Sequence, residues 1–173
     1  MPIPESRLFQ LVHQQLEAHF GRRIPMSKVG SRIATVRITP PTSVSIKVKY
    51  STEHRPEALR QHLDRVAWLT FSAPDFSNSA PLFLTIVQGA DEANLMYLTL
   101  PRQQLRQVLA SNGSDWNMHI DYAKSGHIFS SRGLSTEARL ACARSRQYLT
   151  EHHPERDLTE WLGNWQLLAA QPA

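Results

Sequence analysis

Between the paired prolines at 40–41 and Ser51 the chain alternates strictly: Val44, Ile46 and Val48 are apolar, and Ser45, Lys47 and Lys49 fall between them. Successive side chains of an extended strand leave opposite faces, so a period of two predicts a half-buried strand and is incompatible with a helix. Both lysines then share the solvent-facing side. Residues 32–39, with Ile33, Val36 and Ile38 among Thr and Arg, read as a partner strand, and PPTS at 40–43 supplies the hairpin turn. Ile33, Ile38, Ile46 and Val48 are expected to be buried, opposite Lys47 and Lys49.

The rest of the chain arranges itself around that hairpin. Glu5 to Phe20 predicts a helix, because Leu8, Leu11, Val12, Leu16 and Phe20 recur at three- and four-residue steps and Gly21 follows as a terminator. Pro56 to Trp68 predicts a second helix through Leu59, Leu63 and Val66. Residues 72–81 (SAPDFSNSAP) are loop by composition. Phe83–Val87 and Leu95–Leu100, joined by QGADEAN, make a second hairpin. Pro101 opens a helix carrying Leu105, Val108 and Leu109. Met118–Tyr122 and His127–Ser130 are short strands. Ser135 caps a helix running to about Thr150, and Pro154 begins a last helix striped by Leu158, Trp161, Leu162, Trp165 and Leu168. The expected fold is mixed α/β (α+β): a central mixed sheet built from two hairpins, flanked by helices, with a helical C-terminus. The 173 residues suit a single domain.

The apolar fraction of 41% is that of a globular chain. Neither a signal peptide nor a membrane-spanning run is evident, so a cytoplasmic location without membrane association is expected. The single cysteine, Cys142, excludes an intramolecular disulfide and a thiolate zinc site, and reads as a small buried helix residue. His119, Asp121 and His127 are the nearest approach to a metal-ligand cluster, but scattered placement explains them as well, and His152-His153 reads as a solvated helix end. No metal site or cofactor is expected.

Charge is unevenly spread. Residues 18–52 contain seven basic side chains and no acid, whereas residues 53–173 contain eleven basic and thirteen acidic ones. Basic charge without interspersed acid is the footprint of a polyanion-binding surface. The candidate nucleic-acid-binding residues are Arg22, Arg23, Lys28, Arg32, Arg37, Lys47 and Lys49. Arginine outnumbers lysine fifteen to four, which favours fork-type contacts to phosphate.

An amphipathic helix containing Glu5, a hairpin whose second strand ends Ile46-Lys47-Val48-Lys49-Tyr50-Ser51, and then a helix together resemble the PD-(D/E)XK, or restriction-endonuclease-like, nuclease superfamily. The resemblance spans residues 5–110, leaving 111–173 as short strands and a C-terminal helical pair. It implies that the helix Glu, an Asp on the first strand and an acid two residues before the Lys hold a divalent metal, and that the Lys assists the attacking water. Glu5 and Lys49 stand where that family has its helix Glu and its Lys. The sequence departs from the pattern at the metal ligands: Lys47 occupies the position two before Lys49, and residues 32–39 contain no acid. A hard cation such as Mg²⁺ needs carboxylate oxygens. The expectation is therefore a metal-free pseudoenzyme, a DNA-binding rather than RNA-binding subunit of a DNA-processing, defence or mobile-element system. Two further readings stay open. One is an active, Mg²⁺-dependent endonuclease using Glu5 and Lys49, with acids such as Glu53 or Glu57 migrated to the site. The other is a protein-interaction module docking a larger complex through Trp161 and Trp165.

Overall fold

Glu5–Phe20 forms helix α1, which buries Leu8, Phe9, Leu11, Val12 and Leu16 and ends at Gly21. Gly21 takes a left-handed φ of 62°, a conformation that glycine adopts without steric cost. The computed structural model describes residues 3–51, 53–54, 59–76, 82–87, 92–113 and 116–170, with 53, 54 and 87 as backbone only. Within them the strands are β1 (Met26–Gly30), β2 (Ile33–Val36), β3 (Val44–Ser51), β4 (Glu53–His54), β5 (Leu63–Thr70), β6 (Leu82–Val87), β7 (Met96–Pro101), β8 (Asn117–Ala123) and β9 (Ile128–Ser130). The remaining helices are α2 (Ala73–Phe76), α3 (Arg102–Ser111), α4 (Thr136–Arg144), α5 (Arg146–His152) and α6 (Gln166–Ala169).

Five strands form the first sheet, in the order β1-β2-β3-β6-β7, and four form the second, β4-β5-β8-β9. The first sheet is the expected mixed one: the β2–β3 and β6–β7 hairpins are joined by parallel pairing of β3 with β6. The edge strand β1 was not anticipated, and neither was the extent of the second sheet, all of whose pairings are antiparallel.

One face of the first sheet carries Ala34, Val36, Ile46, Val48, Leu84, Ile86 and Tyr97 against α1 and the C-terminal Trp165 and Leu168. Its other face packs Phe83, Leu98 and Leu100 against Ala67, Leu69, Met118 and Ile120 of the second sheet and against α3. Beyond the second sheet, Val66 and Phe129 meet Cys142, Ala143 and Leu149 of α4 and α5.

Four expectations need correction. The segment predicted as a helix to Trp68 is strand β5 from Leu63 onward, and residues 55–58 lie outside the described residues. Ala67 and Leu69 enter the core between the sheets while Leu63 and Val66 pack beneath α4 and α5. A bulge between Leu63 and Arg65 shifts the alternation, so Leu63 and Val66, three residues apart, fall in one cluster and mimic a helical step. The helix predicted from Ser135 to Thr150 divides at Ser145, whose hydroxyl caps a fresh helix by accepting from the Tyr148 N–H.

The predicted last helix is broken: Pro154–Arg156 and Thr159–Trp161 are isolated 3₁₀ turns, and only Gln166–Ala169 is α-helical. Asp157 accepts from the Thr159 N–H and hydroxyl at 3.0 and 2.5 Å, a local pairing that competes with helical hydrogen bonding. Backbone bridges then stitch Asp157 to Phe129 and Leu162 to Leu98, so the tail runs along both sheets. Trp165 is 4% exposed against Tyr97 under α1, whereas Trp161 lies half-buried on the core between the sheets. Docking a partner through Trp165 would require that core to open.

The fourth correction concerns faces. Ile46, Val48 and Ile38 are buried, but Ile33 pairs with Lys47 and shares its face, and is only half-buried. The lysine face itself is covered by the second sheet and α2. Among the described residues, no helix is long and apolar enough to cross a membrane.

Candidate functional site

Alternation places Lys47 and Lys49 on the face of β3 that looks toward the second sheet, and there both meet one carboxylate. Lys47 Nζ lies 2.9 Å from Asp75 Oδ1, and Lys49 Nζ lies 3.0 Å from Asp75 Oδ2. The lysine side chains are only 12% and 11% exposed, and that of Asp75 is 9% exposed. Asp75 belongs to the short helix α2, which opens with Ser72. The Ser72 N–H and hydroxyl both donate to Asp75 Oδ2, at 2.8 and 3.1 Å, and the Asp75 N–H donates back to the Ser72 carbonyl at 2.9 Å, so the carboxylate reaches back over the first turn as the acid of a capping box does. The Lys49 ammonium also sits 5.1 Å from the centre of the Phe71 ring. Ser51, at the end of β3, ties the strand to β5 by donating to the Trp68 carbonyl at 2.6 Å and accepting from its N–H at 3.1 Å.

Burial works to raise the pKa of Asp75, but the hydrogen bonds from Lys47 and Lys49, the Lys49 charge and the Ser72 N–H together outweigh it and hold the group at about 2. Two cations around one anion leave a net positive charge in a largely desolvated place. Sequence reasoning missed Asp75. Its signal was the Ser-x-x-Asp spacing inside a segment read as loop, the pattern of a helix N-terminus.

Glu5 is elsewhere. Lys28, its ion-pair partner, registers with Ala34 and so with Ile46, on the α1 face of the sheet, and Lys49 is on the opposite face. Glu5 Oε1 accepts from Lys28 at 2.6 Å and from the backbone N–H of Arg32 at 3.2 Å. Arg32 takes a left-handed φ of 56° in the β1–β2 turn, so Glu5 fastens that turn to the start of α1. The Lys28 hydrogen bond leads the effects that lower the Glu5 pKa. Glu5 and Lys49 are therefore not one constellation.

Of the other basic candidates, Arg22, Arg23, Arg32 and Arg37 are exposed, as is Lys28. Arg22 donates to the Ile38 carbonyl, and Arg37 to the Ser43 hydroxyl at 3.4 Å. Among the described residues, Lys28 is the one member of this group with an ion-pair partner. These five surround the α1–β1 turn and the β1–β2 edge. Lys47 and Lys49 are set apart from them, committed to Asp75.

The histidine cluster also separates. Asp121, fully buried, holds Arg139 through two bonds of 2.5 and 2.9 Å. Burial pushes its pKa up against the opposing effect of Arg139. The ring nitrogens of His127 engage Ser125 Oγ at 3.0 Å and the Cys142 carbonyl at 2.7 Å. His119 stacks on Trp68. Among the described residues no three His, Cys, Asp or Glu side chains could jointly hold a metal ion, and the side chains of Glu53 and Glu57 lie outside those residues. Cys142 is buried in α4, and burial raises its thiol pKa to about 11. Comparison with protein-family models, with curated proteins and with solved structures gives no match.

Proposed function

We propose that the chain is a cytoplasmic, nucleic-acid-associated protein on a nuclease-like scaffold that has lost metal-dependent catalysis, and that it holds DNA by its backbone as a subunit of a DNA-processing, defence or mobile-element system. The observation that carries this reading is the group of exposed cations Arg22, Arg23, Lys28, Arg32 and Arg37 around one turn and one sheet edge, with Lys28 alone ion-paired among described residues. Such side chains neutralise phosphates and give affinity without sequence choice. The nuclease likeness rests on α1 leading into the β1–β2–β3 meander and on Lys49 at the end of β3. The loss of catalysis rests on Asp75. Its two oxygens already face two ammonium groups within 3.0 Å, which would repel a divalent cation.

The test is duplex binding at several salt concentrations, alongside incubation of DNA and RNA with Mg²⁺ or Mn²⁺. Binding should fall steeply with salt, and Arg22→Ala with Arg23→Ala should weaken it equally on unrelated sequences. Each lost phosphate contact should flatten the log–log salt slope by about one. Removing Lys47 and Lys49 together is unsuitable as a binding test, since it strands a covered carboxylate, whereas either single change leaves Asp75 one ammonium partner. No nucleic-acid binding at low ionic strength would refute the proposal. Metal-dependent cleavage that disappears in Lys49→Ala would replace it with the active-nuclease reading.

A further inference from the structure

A cleft of about 400 Å³ lies beside the β8–β9 turn, and Asp64, Met96, Tyr122, Lys124 and His127 line it. That volume is within the range of small-molecule sites. Its walls come from both sheets: Met96 opens β7 of the first, while Asp64, Tyr122 and the turn belong to the second. Arg65 fastens one wall to the other by donating to the Asn94 carbonyl at 3.1 Å. A bulge puts Asp64 where it is. Leu63 pairs with Ala123 and Arg65 with the neighbouring Tyr122, so Asp64 is the extra residue, and a bulge re-aims side chains. The Asp64 side chain is 63% exposed, and its ion-pair partner Arg65 is 3.6 Å away. Lys124 is exposed and has no ion-pair partner among the described residues. Tyr122 is 3% exposed, and its hydroxyl has no hydrogen-bond partner among the described residues. Burial pushes its pKa up, so at neutral pH it is a protonated donor. A buried donor left unpaired is destabilising until something supplies the acceptor. His127 is wall only, since Ser125 and the Cys142 carbonyl already engage its ring nitrogens.

We infer that this cleft binds a small zwitterion with an aromatic body and an oxygen acceptor at its far end, the chemistry of a hydroxylated aromatic α-amino acid. Asp64 takes the ammonium and Lys124 the carboxylate, the two charges of one head group held at the mouth. The Met96 thioether meets the ring, a contact that sulfur and aromatic groups favour. The Tyr122 hydroxyl donates to the oxygen at the far end, which supplies its acceptor. The inference goes beyond the nucleic-acid reading and does not depend on it, because none of these residues belongs to the basic edge.

The experiment titrates the full chain with L-tyrosine, followed by backbone amide shifts in heteronuclear NMR, and repeats the titration with three analogues that each lack one group. L-tyrosine should bind with a Kd of about 1 mM, ordinary for a ligand of this size, and shift the amides of the β8–β9 turn and of Met96. L-phenylalanine lacks the far oxygen, hydroxyphenylpropionate the ammonium and tyramine the carboxylate. Each should bind about tenfold more weakly. Tyr122→Phe should erase the preference for tyrosine over phenylalanine, Asp64→Asn the preference over hydroxyphenylpropionate, and Lys124→Gln the preference over tyramine. The melting temperature of Tyr122→Phe should be unchanged or higher, because the change deletes an unpaired buried hydroxyl. Equal affinity of the wild type for tyrosine and phenylalanine, or a preference for tyrosine that survives in Tyr122→Phe, overturns the assignment. So does an absence of shifts at the turn with millimolar L-tyrosine present.

Discussion

Asp75→Asn is the perturbation that best separates an interior ion cluster from a solvated one. The carboxylate lies within 3.0 Å of Lys47 and Lys49, and all three side chains are at least 88% covered. Lowering its pKa from 3.8 to about 2 corresponds to about 2.5 kcal/mol of preference for the ionised form in the folded chain. The amide keeps the shape and removes the charge, leaving two ammonium groups facing each other. The repulsion between the two ammonium groups is present in the wild type too and cancels in the comparison, so a loss of about 2–3 kcal/mol is expected.

Lys47→Met is the control. It takes away a cation but leaves the neutral pair Lys49–Asp75, and should cost only about 1 kcal/mol. Urea unfolding followed by circular dichroism at neutral pH measures both. The pH dependence has a definite sign. Because the folded-state pKa is depressed, the stabilisation is fully present above 3.8 and is lost as pH falls through about 2. Wild type should therefore lose its advantage over Asp75→Asn between about pH 5 and 2. An Asp75→Asn cost under about 1 kcal/mol, the range of exposed pairs, or one no larger than that of Lys47→Met, would refute the argument.

Two more outcomes follow from the helices that flank the second sheet. Arg139→Ala leaves the fully buried carboxylate of Asp121 without its bidentate partner and should destabilise by about 3–5 kcal/mol, read by urea unfolding. Ser145→Ala removes the cap that starts α5 and should cost about 1 kcal/mol, seen as a lowered melting temperature, with Ser145→Asp restoring most of it.

The first sheet was legible in the sequence because its elements obey local rules. α1 has a clear apolar stripe closed by Gly21, β3 alternates over its length, and β6 and β7 are β-prone runs of matching length around one turn. The second half resisted where tertiary contacts override the local pattern. β5 carries a bulge between Leu63 and Arg65 and so lost its period. The helix at Ser145 breaks on one hydroxyl, and the tail from Pro154 gives up helical hydrogen bonds for Asp157–Thr159 and for bridges to Phe129 and Leu98. The tryptophans at 161 and 165 have helical spacing yet serve two different cores.

The site shows the limit of alternation most clearly. A period of two assigns residues to faces, and it correctly put Lys47 and Lys49 together, opposite Ile46 and Val48. It does not say what lies over a face. That depended on a second sheet built from residues 63–70 and 117–130, and on a carboxylate 26 positions beyond Lys49. A lysine in a wet strand face and a lysine under a second sheet have the same sequence signature until the covering element supplies the counter-charge. The charge asymmetry of residues 18–52 accordingly divides in two: Lys47 and Lys49 are held inside against Asp75, while Arg22, Arg23, Lys28, Arg32 and Arg37 remain at the surface. Of the two groups the second alone is exposed, so the proposed polyanion contact is tested there, by mutations that should leave the fold unaltered.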